Sequence, residues 1–333
     1  MKPGLFLALV TALYAAQSPS YKIAGSIPLG GTGGWDYLSA DSANRRLYVS
    51  HSTQVEVVDL DSGKPVGKIS GMMGIHGIAI ANDLGAGFIS DGRANEVVEF
   101  TLTNLEVKKK IKAGTNPDGI VYDSVSKRVF AFNGRSHDAT VINAASGTLA
   151  GTVKLDGKPE FPVSDGAGSV FVNIEDKSEL VKIDSRTLAI KAAWPLAPCE
   201  LPSGLAIDTA NRRLFSVCDN KRMAITDADS GKVVAAPAIG EGPDAAAFDP
   251  ATHLAFSSNG ESGTLTIIRA DGKDKYSVAG TVETARGART MALDAKTHKL
   301  YLSTAAFGPV PAGGRRPAIL PDTFRVLVLA PVS

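Results

Sequence analysis

The chain has 333 residues, 44% of them hydrophobic, enough for one large core or two ordinary ones. Its 35 Lys and Arg stand against 34 Asp and Glu, a formal net charge of +1, so no single-signed field draws in nucleic acid or another polyanion. The one basic run, Lys108, Lys109 and Lys110, is accounted for by a solvated edge strand.

Lys2 precedes an apolar stretch over residues 5–16, the charged start and short apolar run of a secretory signal. The stretch is too short to cross a bilayer comfortably. We read residues 1–18 as a signal peptide released near residues 16 to 18, leaving 19–333 as a single domain. The expected location is periplasmic or extracellular, with no membrane span after signal removal and a monomeric chain; a retained signal-anchor is the competing reading.

From residue 36 onward one pattern recurs seven times: a small-apolar strand, an acidic or polar turn, then a second apolar strand. The pairs are 36–41 with 46–50, 77–81 with 87–90, 118–123 with 128–133, 161–165 with 170–173, 203–208 with 213–217, 244–249 with 254–258, and 290–294 with 300–303. The period is about 42 residues, within the range of four-stranded propeller blades. After each pair comes a third strand with period-two alternation, a turn and a fourth strand, most clearly at 55–59, 61–63 and 64–70. No segment past the signal shows sustained helical periodicity with caps, which excludes an α/β reading.

The seventh repeat stops after its third strand, residues 324–329, while residues 21–27 precede the first repeat and read as the missing fourth strand. Pairing them closes a ring and removes an exposed edge. The expected fold is therefore all-β: a seven-bladed β-propeller with four antiparallel strands per blade, the last blade completed by the N-terminal strand.

The chain resembles the YVTN-repeat (YncE-like) seven-bladed propellers of secreted bacterial proteins. The carriers are Arg128-Val-Phe-Ala-Phe-Asn133, Val170-Phe-Val-Asn-Ile-Glu-Asp-Lys177, Asp227-Ala-Asp-Ser-Gly-Lys232 and Gly287-Ala-Arg-Thr-Met-Ala-Leu-Asp294. The likeness covers residues 21–330 and departs from the repeat at Ala81, which takes the usual acidic turn position. It implies a propeller outside the cytoplasm and no particular reaction.

In a propeller, the loops leading into the innermost strands and those joining second to third strands meet around one mouth of the channel. The first set offers Trp35, Asp36, His76, Asp118, Asp244 and Arg289 as ligand-binding candidates; the second offers Arg93, Arg135, Glu175 and Asn259. His76, Asp118 and Asp244 combine an imidazole with two carboxylates, a donor set for a divalent metal ion. A plainer reading remains beside it: Asp118 and Asp244 follow Pro117 and Pro243, in turns where Asp bonds nearby backbone N–H groups. Arg93 and Arg135 occupy matching Gly-Arg positions on adjacent blades, which suits an anion clamp and equally suits a repeated hairpin loop.

Cys199 and Cys218 are the two cysteines, and in a secreted chain they read as a disulfide. The absence of Cys-x-x-Cys-His excludes ordinary covalent haem, and soft partners for a thiolate metal site are lacking. The glycine run over residues 30–34 enters a strand and has no phosphate-loop lysine. No nucleophile elbow is present. Residues 305–322 form the longest irregular stretch, either a lid over the channel mouth or a tolerated insertion.

These observations favour a binding module for a small molecule or periplasmic protein over an enzyme. The rivals are a metal-dependent hydrolase, lactonase or lyase at the channel mouth, and a partner of a periplasmic redox enzyme.

Overall fold

The computed structural model describes residues 20–310 and 317–332, so the expected signal over residues 1–18, and Arg315 and Arg316 of the long loop, lie outside the described residues. Seven sheets of four antiparallel strands are arranged as blades around a channel. In six blades the strands follow one another in sequence. The seventh runs Tyr21–Pro28, Arg325–Pro331, Lys299–Thr304, Met291–Asp294 from outside to inside.

This closure is a continuous ladder from Tyr21 opposite Pro331 to Pro28 opposite Arg325, with one bulge between Ile23 and Gly25. Tyr21 anchors it: its ring stands edge-on to Phe256 at 5.1 Å, and its hydroxyl donates to the His298 carbonyl over 2.9 Å.

Burial follows strand position. The second strand of blade 3, Arg128–Asn133, has Val129, Phe130, Ala131 and Phe132 fully buried, because a blade's middle strands face both neighbouring blades. The outermost strand of blade 2, Val107–Lys112, buries Ile111 and leaves its three consecutive lysines in water. Seven apolar clusters fill the seven interfaces between blades. The one that shuts the ring joins Leu47 and Val49 of blade 1 to Tyr301 and Val326 of blade 7.

The recurring aspartate at the end of the innermost strand has two tasks. It caps its own turn: Asp41, Asp123, Asp208, Asp249 and Asp294 each accept from a backbone N–H two or three residues on. Most also reach an adjacent blade. Arg45 grips Asp294 with one nitrogen at 2.9 and 2.8 Å, Asn82 donates to Asp41, and Ser164 donates to Asp123. In blade 2, where Ala81 lacks a carboxylate, the 3-10 turn Asn82–Leu84 supplies Asn82 for that contact. His298 is not simply solvated, as its place in a turn suggests, but sits 2.8 Å from the buried Asp249.

A disulfide joins Cys199, just before the innermost strand of blade 5, to Cys218 at the end of that blade's second strand. The Cα atoms are 5.7 Å apart and both residues are buried.

Candidate functional site

Strand register sets seven equivalent positions around the channel. Leu38, Ile78, Ile120, Pro162, Leu205, Ala246 and Met291 face the same point of their blades' second strands. Two residues before each, one per blade, stand Asp36, His76, Asp118, Glu160, Ser203, Asp244 and Arg289. The sequence repeat thus becomes a ring of functional groups at one channel mouth. Close approach of the strands brings them together: a Cβ on Gly119 would lie 2.5 Å from the Glu160 carbonyl oxygen.

Four neighbours in this ring, Asp244, Arg289, Asp36 and His76, are bonded in a chain, with Asp118 at its end. His76 Nδ1 lies 2.6 Å from Asp36 Oδ2 and 3.8 Å from Asp118 Oδ1. Arg289 donates to Asp244, to the Trp35 carbonyl at 3.0 Å and to Asp36 Oδ1 at 3.4 Å. Beyond Asp118, Glu160 is paired at 2.6 Å with Lys158, which also holds Glu175.

This crowding moves protons. Burial opposes the charge on His76, yet the hydrogen bond to Asp36 and the charges of Asp118 and Asp36 win and raise its pKa to about 9. Burial raises Asp118 to about 6, against the pull of His76 and with the push of Asp36 and Asp244. Burial first, then the Asp118 charge, raises Glu160 to about 8 although Lys158 opposes it. Asp244 is also raised by burial, with Arg289 working in the other direction.

Tyr37 forms the floor. It is buried and meets Phe161 of blade 4 at 4.9 Å in an edge-on contact across the channel. Burial, then the charges of Asp118, Glu160, Asp36 and Asp244, push its phenol well above the usual range. Below it an axial cavity of 640 Å³ is lined by the inner strands.

The sequence candidates divide accordingly. Asp36, His76, Asp118, Asp244 and Arg289 meet in the ring, and Trp35 stacks beside it on Phe324. The metal set needs correction. Each of Asp36, His76 and Asp118 offers a ligand atom within 4.8 Å of the others, whereas Asp244 is held by Arg289 two blades from Asp36. Nor are Asp118 and Asp244 turn caps: both lie inside strands, Pro117–Asp123 and Pro243–Asp249. Asn259 is no ligand candidate, being fully buried with its amide donating to Thr264 and Thr266 and its oxygen accepting from Ser257. Glu175 faces Lys158, one step outside the ring. Arg93 and Arg135 are both exposed, and the Arg93 stem lies over Gly74.

Tyr37 and Lys158 escaped the sequence reading. A signal for Tyr37 exists: the matching positions elsewhere are Gly77, Gly119, Gly204, Ala245 and Thr290, so Tyr37 and Phe161 are the two bulky residues in a row of small ones.

No family model and no curated protein matches this chain. Solved structures do. U3-55K aligns with TM-score 0.77 and 9% identity over 91% of this chain and 97% of that one. The RRP9 WD40 repeats align at 0.79 and 9% over 93% and 99%. Kuenenia stuttgartiensis hydrazine synthase aligns at 0.70 and 14% over 81% and 92%. The likeness is one of fold. It makes this a seven-bladed, WD40-like propeller and leaves its chemistry to its own residues.

Proposed function

We propose that this chain is an extracytoplasmic binding module of the YVTN-repeat kind that holds a divalent cation at its channel mouth through Asp36, His76 and Asp118. The observation that carries this reading is the convergence of those three ligand atoms within 4.8 Å, on three successive blades. One imidazole with two carboxylates suits a first-row divalent ion such as zinc or manganese better than calcium, which prefers oxygen alone. Three protein ligands leave coordination positions open toward the mouth, where a small ligand or a side chain of a partner protein can complete the sphere. The Cys199–Cys218 disulfide supports an oxidising compartment.

The test is calorimetric titration of chelator-stripped protein with Zn²⁺, Mn²⁺ and Ca²⁺. One site is expected, with Zn²⁺ or Mn²⁺ tightest and His76→Ala and Asp118→Asn each weakening it more than about tenfold. Unchanged affinity in both variants, or no binding by any ion, refutes the cation reading.

One observation favours a second reading, a hydrolase, lactonase or lyase. Glu160 next to Asp118 has its pKa raised to about 8, close to the operating pH that general acid–base work requires. Turnover of a lactone or ester panel that is lost in Glu160→Gln supports that reading; equal turnover in the variant removes it.

A further inference from the structure

Beside the ring, between blades 6, 7 and 1, opens a second cavity of 590 Å³ that the proposed cation site does not use. Its size falls within the range of small-molecule sites. Trp35 and Phe307 form an aromatic wall, their rings 6.1 Å apart. The wall is built against the backbone of Gly287: its φ of +81° favours glycine, and a Cβ there would stand 2.7 Å from the Phe307 ring.

The charges around the cavity are not all matched. Asp244 and Arg289 border it and neutralise each other. Arg286 and Glu261 also line it, both exposed, and neither side chain has an ion-pair partner among the described residues. One cavity therefore presents an open guanidinium, an open carboxylate and an aromatic wall.

We propose that this cavity takes a small zwitterion with an aromatic or other apolar body, the chemistry of an α-amino acid. Arg286 receives the carboxylate, Glu261 receives the ammonium group, and the body lies against Trp35 and Phe307. Neither charged residue belongs to the cation triad, so metal-free protein tests this site whether or not the cation reading stands.

The experiment is calorimetry of metal-free protein with L-phenylalanine, 3-phenylpropionate and phenethylamine. Phenylalanine is expected to bind one to one, about twofold to fivefold more tightly than either singly charged analogue, which each lack one exposed charge contact. Arg286→Gln should lower phenylalanine to the level of phenethylamine and leave phenethylamine unchanged. Glu261→Gln should lower it to the level of 3-phenylpropionate. Both side chains are exposed, so neither change endangers folding. A ligand-dependent change of Trp35 emission in Trp194→Phe, which removes the other tryptophan, places binding at this wall. The proposal is overturned if phenylalanine does not bind, if the three ligands bind alike, or if both variants match the parent.

Discussion

Replacing Tyr21 by Ala tests how the ring is closed. The substitution removes a ring buried to 5% exposure, its edge-on contact with Phe256 and its hydroxyl bond to His298, all between the N-terminal strand and blades 6 and 7. Large-to-small changes of buried aromatic residues cost about 3–5 kcal/mol. Each kcal/mol shifts Tm by about 2–4 °C in a large domain, so Tm should fall by about 6–20 °C. Tyr21→Phe loses the hydroxyl bond alone and should cost about 1 kcal/mol. Lys22→Ala, on the exposed side of the same strand, should change stability by less than about 0.5 kcal/mol. Scanning calorimetry of the three variants reads the series. If Tyr21→Ala melts with Lys22→Ala, the strand does not close the ring, and the account of blade 7 fails.

Other expectations follow from the same contacts. His76, Asp118 and Glu160 all have raised pKa values, so the folded chain binds protons more tightly than the unfolded one. The His76 share is fully present below its ordinary 6.5 and lost as pH rises through about 9. Denaturation of metal-free protein should therefore show stability falling across that window, and His76→Ala should flatten the fall. Asp294→Ala removes a turn cap and the Arg45 latch between blades 7 and 1; breaking such a buried pair should cost about 3–5 kcal/mol in urea unfolding. The disulfide links residues 19 apart, so replacing both cysteines by Ser should cost about 3 kcal/mol, read by the same titration.

The architecture was open to reading because the blades, with Ala81 of blade 2 the exception at the turn, repeat the same two physical statements. Apolar middle strands mark the sandwiched positions, and an aspartate marks the turn; a missing fourth strand after residue 329 then has one counterpart, at residues 21–27. The site was legible in membership more than in pairing. Asp118 and Asp244 share the Pro-Asp motif and the same blade position, but blade order makes His76 the neighbour of Asp118 and Arg289 the neighbour of Asp244. Asp36, in a glycine-rich approach without that motif, is the third member of the triad instead. Asn259 misled because polarity at a strand end does not reveal that Thr264 and Thr266, across the hairpin, turn its side chain inward. Of the long loop, Phe307, Pro317 and Ile319 line the cavity beside Trp35.

The most direct measurement is an anomalous difference map from crystals soaked in Mn²⁺, compared with unsoaked ones. A single strong peak about 2.0–2.4 Å from a carboxylate oxygen of Asp36, Nδ1 of His76 and a carboxylate oxygen of Asp118 is the predicted result. A map with no peak at those atoms, or with its peak at Glu160 and Glu175 instead, contradicts the cation site on which the functional account stands.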